Sequence, residues 1–321
     1  MAEQQKPTNR LAYSGDLEPV IDRLCAAYDV GTPASSSVVE VGYEDCNVVV
    51  ETDQDKFLAK MFAKTRTSAE IARYATTMKN VVEAGVNHPE LLTTSSGEVV
   101  YTDSGITLVL MRFIEGKTFF ELDQAPDEQE QRAVLEQAAK VNNIDYKPDY
   151  LFDSWAIPNI RAMFDKVRQF IEPDDLVLVE QAMAGYEAVP VDDLPHSFVH
   201  GDFTKTNVLK GNDGKMYILD FSVANWYPRI QELAVIAANL LHDNSDNSSL
   251  EDRCSQVADG YSQFNQLTDA ERRHLPAYAL AGIAMEFMGA HQEKHINGND
   301  TEETNYWLNL GRQGLRKALN G

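Results

Sequence analysis

A short polar stretch in the second half of the sequence carries the residues best suited to chemistry. It reads FVHGDFTKTNVLK and is bracketed by apolar residues, and within it Asp202 precedes Asn207 by five positions. A second carboxylate, Asp220, ends the apolar run YIL further along. A carboxylate and an amide oxygen form a typical ligand set for Mg²⁺, which takes substrate phosphates as further ligands. The remaining carboxylate could accept a hydrogen bond from an attacking hydroxyl, so the stretch predicts phosphoryl transfer.

The order HxDxxxxN, followed by an apolar strand that ends in Asp, is typical of kinase-type phosphoryl transfer. The chain resembles the aminoglycoside phosphotransferase / choline kinase superfamily of protein-kinase-like small-molecule kinases through five residues, His200, Gly201, Asp202, Asn207 and Asp220. The resemblance implies that Asp202 is the catalytic base or orients the hydroxyl. It also implies that Asn207 and Asp220 hold Mg²⁺. His200 then either organises the loop, which is the favoured interpretation, or acts as a proton shuttle. An Asx-rich turn is the alternative, which the agreement of three independent positions disfavours.

Two further groups of residues near this stretch have open roles. Lys205 lies in the loop, where its ammonium either contacts the γ-phosphate or is simply solvated. Trp226, Tyr227 and Arg229 follow the second carboxylate, and they either line the acceptor site or pack against the start of the next helix. At that helix start the family usually has Asp-Leu-Ala, whereas this chain has Glu232 in place of the Asp.

The first third of the chain supplies the candidates for nucleotide binding. Lys60 lies mid-strand in FLAKMF, where an ammonium costs free energy unless it reaches a partner. The resemblance offers the α- and β-phosphates of ATP as that partner, and it implies a bracing Glu on the next helix, for which Glu70 is the candidate. Gly42 and Asn47 resemble the family's nucleotide-covering loop, although the glycine could serve only a hairpin.

The run LVLMRFIEG reads as a strand that leads into a hinge. By the same resemblance, backbone groups of Arg112, Phe113 and Ile114 pair with adenine. Gly116 then frees the chain to enter a second lobe. The sequence therefore predicts a boundary here, with an N-terminal nucleotide-binding lobe at residues 1–116 and a C-terminal catalytic and acceptor-binding helical lobe at residues 117–321.

Hydrophobic periodicity supports this division. Residues 16–29 have helical spacing, and residues 36–111 then read β-β-β-α-β-β, with strands at 37–41, 47–51, 57–62, 98–102 and 107–111 and a helix at 67–84. Beyond residue 117 the pattern is mostly helical, at 127–142, 154–171, 173–189, 230–242, 250–264, 269–292 and 301–319. A strand-like segment at 197–209 and 216–220 has a Gly-Asn-Asp-Gly turn typical of a hairpin. The predicted class is α+β, a bilobal protein-kinase-like fold with a small β-sheet lobe, containing one helix, and a larger helical lobe.

Composition limits the classes of partner. The 321 residues include 50 Asp and Glu against 28 Lys and Arg, for a net charge of −22. This balance argues against binding to nucleic acid or an anionic membrane, because those partners need a basic surface. No apolar run approaches the length that spans a bilayer. Three widely spaced cysteines in no metal-ligand pattern, together with a polar N-terminus, predict a cytoplasmic protein.

The predicted function is an ATP- and Mg²⁺-dependent small-molecule kinase. Protein kinases are disfavoured because Ser222 stands where their Asp-Phe-Gly motif has Gly and no Ala-Pro-Glu segment follows. Several stretches, among them Gly42 to Asn47, look most like the homoserine kinase-like and hydroxylysine kinase-like branch. The acceptor is then a hydroxyl of an amino alcohol, amino acid, aminoglycoside or sugar, and the acidic chain favours a cationic amine. The alternative is a nucleotide-binding pseudokinase, and the sequence indicates no oligomeric state.

Overall fold

The computed structural model describes residues 6–40, 42, 44–243 and 248–320. The chain divides into two compact units, which are described separately. One runs to Val82 and includes His88–Glu115, and the other comprises Glu83–Asn87 and the chain from Gly116 onward. None of the described helices has the length and apolar character needed to cross a bilayer.

The first unit is formed by helices and one sheet. Its elements are α1 (Glu18–Tyr28), β1 (Pro33–Val38), β2 (Cys46–Thr52), β3 (Lys56–Met61), α2 (Ser68–Glu83), β4 (Val100–Asp103) and β5 (Ile106–Arg112). The strands form an antiparallel sheet in the order β1-β2-β3-β5-β4. Cys46, Val48 and Val50 of β2 are buried because alternate side chains of a strand share one face. They belong to one apolar core with Ile21 and Leu24 of α1.

The predicted order of elements is confirmed for this unit, and the largest shift of a boundary is at β1. β1 begins at Pro33 rather than at residue 37, and its first residues carry small polar side chains. It is an edge strand whose residues are mostly exposed, so no apolar alternation marks it in the sequence. The hydrogen bonds that define the strand come from its pairing with β2, where Ser36 faces Val50.

The second unit is mostly helical, which confirms the predicted α+β class. Its helices are α3 (Phe119–Leu122), α4 (Glu128–Asn142), α5 (Ile160–Val167), α6 (Pro173–Glu187), α7 (Ile230–Val235), α8 (Leu250–Tyr261), α9 (Asp269–His295) and α10 (Glu302–Asn320). Its strands are β6 (Gly116–Thr118), β7 (His196–Val199), β8 (Val208–Gly211), β9 (Met216–Ile218) and β10 (Asn225–Pro228). Thus short strands, two of them not predicted from the sequence, accompany the expected helices.

Two of the predicted helices are interrupted. The one predicted at 154–171 is a 3₁₀ turn at Ile157–Asn159, then α5, then a second 3₁₀ turn at Arg168–Phe170. Pro158 favours a helix start at this point because its backbone nitrogen cannot donate a hydrogen bond. The one predicted at 230–242 is α7 followed by a π-helical turn at Ile236–Leu240. Such turns arise from one extra residue in a helix and often occur at functional sites.

Two small sheets hold the polar stretch at both ends. β7 pairs with β10, and β8 lies between β6 and β9. The predicted hairpin is confirmed as β8 and β9. The chain between Val199 and Val208 is therefore a loop whose ends are both fixed by strand pairing, which limits where its side chains can point.

The long helix α9 forms the centre of the second unit. Its middle is apolar and buried, as the positions of Ile283 and Phe287 illustrate. Helix α10 approaches closely because it has Gly311 and Gly314 at the contact. A Cβ atom at Gly311 would lie 2.7 Å from Phe287, and one at Gly314 would lie 2.8 Å from Ile283. Only glycine fits at these two positions without displacing the neighbouring helix.

A buried ion pair ties the start of α7 to the start of α9. Arg229 Nε donates to Glu271 Oε1 at 2.6 Å, and its Nη2 donates to Glu271 Oε2 at 2.9 Å. The same carboxylate accepts hydrogen bonds from the amide and the hydroxyl of Thr268, which caps α9. Arg229 is thus a packing residue in this structure, and this answers for Arg229 the alternative that the sequence left open.

Replacing Glu271 by Ala should lower the free energy of unfolding by about 3 kcal/mol. The change leaves the Arg229 guanidinium without its carboxylate and removes the glutamate half of the capping box at the start of α9. Denaturant titration of the purified variant measures the loss. The matched control is Asp259→Ala, which removes an exposed partner of Arg272 and should change stability little. Equal losses in the two variants would contradict the assigned role of the buried pair.

Candidate active site

The imidazole of His200 organises the polar loop between β7 and β8. The ring is fully buried, its Nδ1 accepts a hydrogen bond from the Asp202 amide at 3.0 Å, and its Nε2 donates to the Leu219 carbonyl at 2.8 Å. Burial lowers the pKa of His200 to about 4, so the ring is neutral at physiological pH. A neutral ring with one donor and one acceptor suits both contacts, and the imidazole therefore orients the loop.

A buried carboxylate fixes the backbone of the same loop. Glu232 on α7 accepts hydrogen bonds from the amide of His200 and, at 3.1 Å, from the amide of Gly201. Burial raises the pKa of Glu232 to about 8, although the two amide bonds act in the opposite direction. The sequence shows Glu232 only as a departure from Asp. In the structure, the longer side chain reaches both loop amides.

The structure brings together the three polar residues that the sequence singled out. Asn207 Nδ2 donates to the Asp202 carboxylate at 2.6 Å and to its carbonyl at 3.2 Å. The Leu219 amide donates to the Asn207 carbonyl at 2.8 Å, which places Asp220 beside the loop. Asp220 has a left-handed backbone, with φ of 56°, and its Oδ1 accepts bonds from the amide and hydroxyl of Ser222. A carboxylate, an amide and a second carboxylate thus lie next to one another.

These side chains fit a magnesium ion by the chemistry of their donors. The side-chain amide nitrogen of Asn207 donates to Asp202, and no described donor bonds to its amide oxygen. That oxygen and the Asp220 carboxylate are hard ligands of the kind Mg²⁺ prefers. Within the described residues no three His, Cys, Asp or Glu side chains form a metal cluster. A magnesium ion held by so few protein ligands normally takes its remaining ligands from water and phosphate.

Lys205 is buried rather than solvated, so one of its two interpretations is wrong. Its side chain is 5% exposed. Its backbone amide donates to Asn239 Oδ1 at 2.9 Å, and its carbonyl accepts from the Phe120 amide at 3.0 Å. Both bonds fix the backbone at this buried position. Burial lowers the pKa of Lys205, while Asp243 and other carboxylates oppose that shift. Contact of Lys205 with a γ-phosphate stays a prediction.

In the first unit, Lys60 forms a buried ion pair. Its ammonium lies 3.1 Å from Asp45 Oδ2, and both side chains are almost completely buried. Asp45 also accepts a hydrogen bond from the Ala63 amide at 3.0 Å. Asn47 faces Lys60 directly across β2 and β3, so the two side chains share one face of the sheet. A lysine in the middle of a strand is thereby held in place by an acidic neighbour.

Glu70 does not pair with Lys60, and this expectation is corrected. Its carboxylate accepts hydrogen bonds from the amide of Thr67 at 2.7 Å and from its hydroxyl at 2.8 Å. The residue lies in the first turn of α2, where a glutamate three positions after a threonine closes the helix start. The partner, Asp45, was not found from the sequence. Its signal was an acidic residue inside the segment from Gly42 to Asn47.

The predicted covering loop and hinge are partly described. Gly42 has a φ of 103°, a conformation that favours glycine, while residues 41 and 43 lie outside the described residues. At the hinge, the Arg112 amide donates to the Glu90 carbonyl and the Phe113 amide donates to the Lys56 carbonyl. Among the described residues none accepts a hydrogen bond from the amide of Ile114.

Comparison with known proteins places this geometry in context. The model of the phosphotransferase enzyme family matches residues 36–272. The homoserine kinase of Rhodopseudomonas palustris (strain BisB5) is 24% identical over 267 residues, covering 82% of this chain and 80% of that protein. The homoserine kinase of Zymomonas mobilis is 23% identical over 81% of each chain. These relatives confirm the predicted superfamily and its homoserine kinase-like branch.

Solved structures show the same fold at low identity. An amicoumacin kinase in complex with AMP-PNP has a TM-score of 0.68 at 14% identity, covering 94% of this chain and 93% of its own. A microcompartment-associated aminopropanol kinase has a TM-score of 0.64 at 13% identity, covering 92% and 95%. The likeness confirms the protein-kinase-like fold.

The neutral, buried His200 should make the protein less stable in acid. Its folded pKa of about 4 lies below the ordinary value of 6.5, so its contribution is complete above that value and is lost as the pH falls through about 4. Between pH ~7 and pH ~4 the loss amounts to about 3 kcal/mol. Denaturant titrations across this range should show a smaller fall for His200→Asn than for the parent protein. Identical pH profiles would contradict the assignment.

Proposed function

The chain belongs to the phosphotransferase enzyme family, and we propose that it transfers the γ-phosphoryl group of ATP, with Mg²⁺, to the hydroxyl of a small amine-bearing molecule. The observation that carries the proposal is the hydrogen bond of 2.6 Å from Asn207 to the Asp202 carboxylate. It orients the carboxylate while leaving the amide oxygen of Asn207 for a metal ion. Asp220 lies beside the loop and supplies a second carboxylate.

The first unit is the proposed site for ATP. The α- and β-phosphates would replace Asp45 as the partner of the Lys60 ammonium, or would join it, because an ammonium in this buried position needs an anionic partner. Gly42 and Asn47 would cover the phosphates. At the hinge the amides of Arg112 and Phe113 already donate within the unit, which leaves the amide of Ile114 as the donor for adenine.

The proposed reaction is an in-line transfer that rests on positioning. Asp202 accepts the proton of the acceptor hydroxyl while the hydroxyl oxygen bonds to the γ-phosphorus. The bond between that phosphorus and the oxygen that bridges it to the β-phosphate breaks, and ADP is released. Asn207 keeps the Asp202 carboxylate in place during the transfer. Mg²⁺ bound at Asn207 and Asp220 would neutralise charge on the phosphates. Lys205 adds a positive charge to the same loop.

The names of the relatives support an acceptor that carries both a hydroxyl and an amine. Homoserine and aminopropanol, which the curated and structural relatives are named for, both have this combination. The acidic composition of the chain favours a cationic acceptor as well. All three cysteines are free and buried, which supports a reducing location such as the cytoplasm.

Replacing Asp202 by Asn should reduce kcat by about 10²- to 10⁴-fold, the contribution typical of a general base. The amide keeps the shape of the side chain but cannot take the hydroxyl proton. Steady-state kinetics with ATP, Mg²⁺ and a panel of hydroxylated amines measure the effect, and calorimetry should show that ATP still binds. The exposed Asp165→Asn, with the same change of charge, is the matched control. Unchanged turnover in Asp202→Asn would contradict the assignment of Asp202 as the general base.

Replacing Asp220 by Ala should abolish the dependence of ATP binding on Mg²⁺. The variant lacks the carboxylate of the two proposed metal ligands, so the loop can no longer hold the ion that accompanies the nucleotide. Titration calorimetry with ATP, in Mg²⁺ and again in chelator, should give different affinities for the parent protein and one common affinity for the variant. A variant that still binds ATP more tightly with Mg²⁺ would exclude Asp220 as a ligand.

A further inference from the structure

The middle of the loop between β7 and β8 is held by one fully buried side chain, that of Asn239. Its Oδ1 accepts a hydrogen bond from the Lys205 amide at 2.9 Å, and the Lys205 carbonyl accepts one from the Phe120 amide at 3.0 Å. Lys205 stands between Asp202 and Asn207 in the sequence. The peptide groups on both sides of Lys205 are therefore fixed at a point between the proposed base and a proposed metal ligand.

A π-helical turn gives Asn239 its position. The Leu241 amide bonds at 2.9 Å to the carbonyl of Ile236, five residues back, and this bond closes the turn Ile236–Leu240. Such a turn accommodates one extra residue in a helix. Asn239 lies within the turn and its side chain contacts the loop, so the irregular part of the helix is the part that reaches the backbone of Lys205.

The π turn is itself stabilised by a buried guanidinium. In a regular α-helix the Leu241 amide would bond to the Ala237 carbonyl, but here it bonds to Ile236. The Ala237 carbonyl instead accepts a hydrogen bond from Arg253 Nε on α8 at 2.8 Å, and Arg253 Nη1 donates to the Ser248 carbonyl at 3.2 Å. Because a buried carbonyl needs a donor, the contact with Arg253 favours the π turn over a regular helix.

The carboxylate of Glu286 on α9 determines which end of the Asn239 amide faces the loop. The amide nitrogen of Asn239 donates to Glu286 Oε1, while its oxygen accepts from Lys205. A side-chain amide has one donor end and one acceptor end, whereas a carboxylate only accepts. The reversed amide would place its NH₂ group against the Lys205 N–H and its oxygen against the carboxylate. Only one orientation of the Asn239 amide therefore satisfies both neighbours.

We propose that Asn239 is a positioning residue for phosphoryl transfer, which holds the loop through the backbone of Lys205, and that Glu286 orients the Asn239 amide for this contact. The inference rests on the proposed function, since it assigns a role in the same loop. Without the contact, the Lys205 amide loses its partner at a buried position. The loop then rearranges to satisfy that amide, and Asp202 and Asn207 move with it.

Replacing Asn239 by Leu should lower kcat by about 10- to 100-fold, the effect of a small misplacement of reacting groups. Leucine has a similar size but cannot accept the Lys205 amide. The matched control is Asn142→Leu, because Asn142 is also buried and bonds with both ends of its amide, to the Phe198 carbonyl of β7 and the Tyr261 hydroxyl of α8. The control should lose stability but keep kcat near the parent value. Equal losses of kcat in the two variants would contradict the proposal.

Two variants of Glu286 test its orienting role. Both remove the charge, but Glu286→Gln keeps an oxygen that accepts from Asn239, whereas Glu286→Leu does not. The Gln variant should keep kcat near the parent value, and the Leu variant should lower it by about 10-fold, the value of one buried hydrogen bond. Assays at pH ~8 keep the parent carboxyl ionised, since burial raises the pKa of Glu286 to about 7. Equal losses in the two variants would reject the orienting role.

An exchange of the two side chains tests the hydrogen bonds directly. In the double variant Asn239→Asp with Glu286→Gln, a carboxylate accepts the Lys205 amide and the donor comes from position 286. Both bonds and the net charge are kept, so the double variant should recover most of the activity that Asn239→Leu loses. Thermal unfolding verifies that each variant is folded. If Asn239→Leu does not fold, the Glu286 variants and the exchange decide. An exchange variant with less than a tenth of the parent kcat would overturn the proposal.

Hydrogen exchange separates this inference from the proposed function, because it needs no acceptor. Mass spectrometry of the peptide that contains Lys205 should show faster deuterium uptake in Asn239→Leu than in the parent protein, and unchanged uptake in Asn142→Leu. Unchanged uptake in Asn239→Leu would contradict the inference alone. If the parent protein consumes no ATP with any hydroxylated acceptor, the proposed function fails, whatever the exchange at Lys205.

Discussion

The geometry of the loop between β7 and β8 depends on hydrogen bonds that its own backbone makes to two buried side chains. A loop between strands lacks a neighbouring strand for its amides, and buried amides need partners. His200 takes the Asp202 amide, while Glu232 takes the amides of His200 and Gly201. These bonds restrict the direction in which the Asp202 carboxylate can point. The residues proposed to do chemistry are therefore half-buried side chains on a backbone held by residues with no direct part in it.

The part of the site that could be predicted from the sequence consists of residues that lie close together along the chain. Asp202, Asn207 and Asp220 are close along the chain, and apolar residues on either side mark the strands that hold them. Glu232 bonds to the same loop from α7, and Asn239 bonds to it from the π-helical turn. Their roles depend on tertiary contacts and on a π turn, and helical periodicity reveals neither.

In the first unit, the order of strands followed from alternation and turns, but the partner of Lys60 did not. The family resemblance implied a glutamate on the next helix. Glu70, the candidate, instead bonds to Thr67 at the start of α2. Asp45 lies just before β2 and meets Lys60 because β2 and β3 pair with Asn47 opposite Lys60. Strand register decides which loop residue lies beside a lysine, and a pattern of residue types does not specify register completely.

The strand β6 has a consequence for how the chain is made. It begins the second unit at Gly116 and pairs with β8, where Gly116 faces Gly211. All strand pairs of the first unit lie before that point. During synthesis on a ribosome, the first unit can therefore close its sheet early, whereas β6 waits without a partner until β8 has emerged. The loop that carries Asp202 precedes β8 directly, so strand pairing fixes both of its ends only after all strands of the first unit have been made.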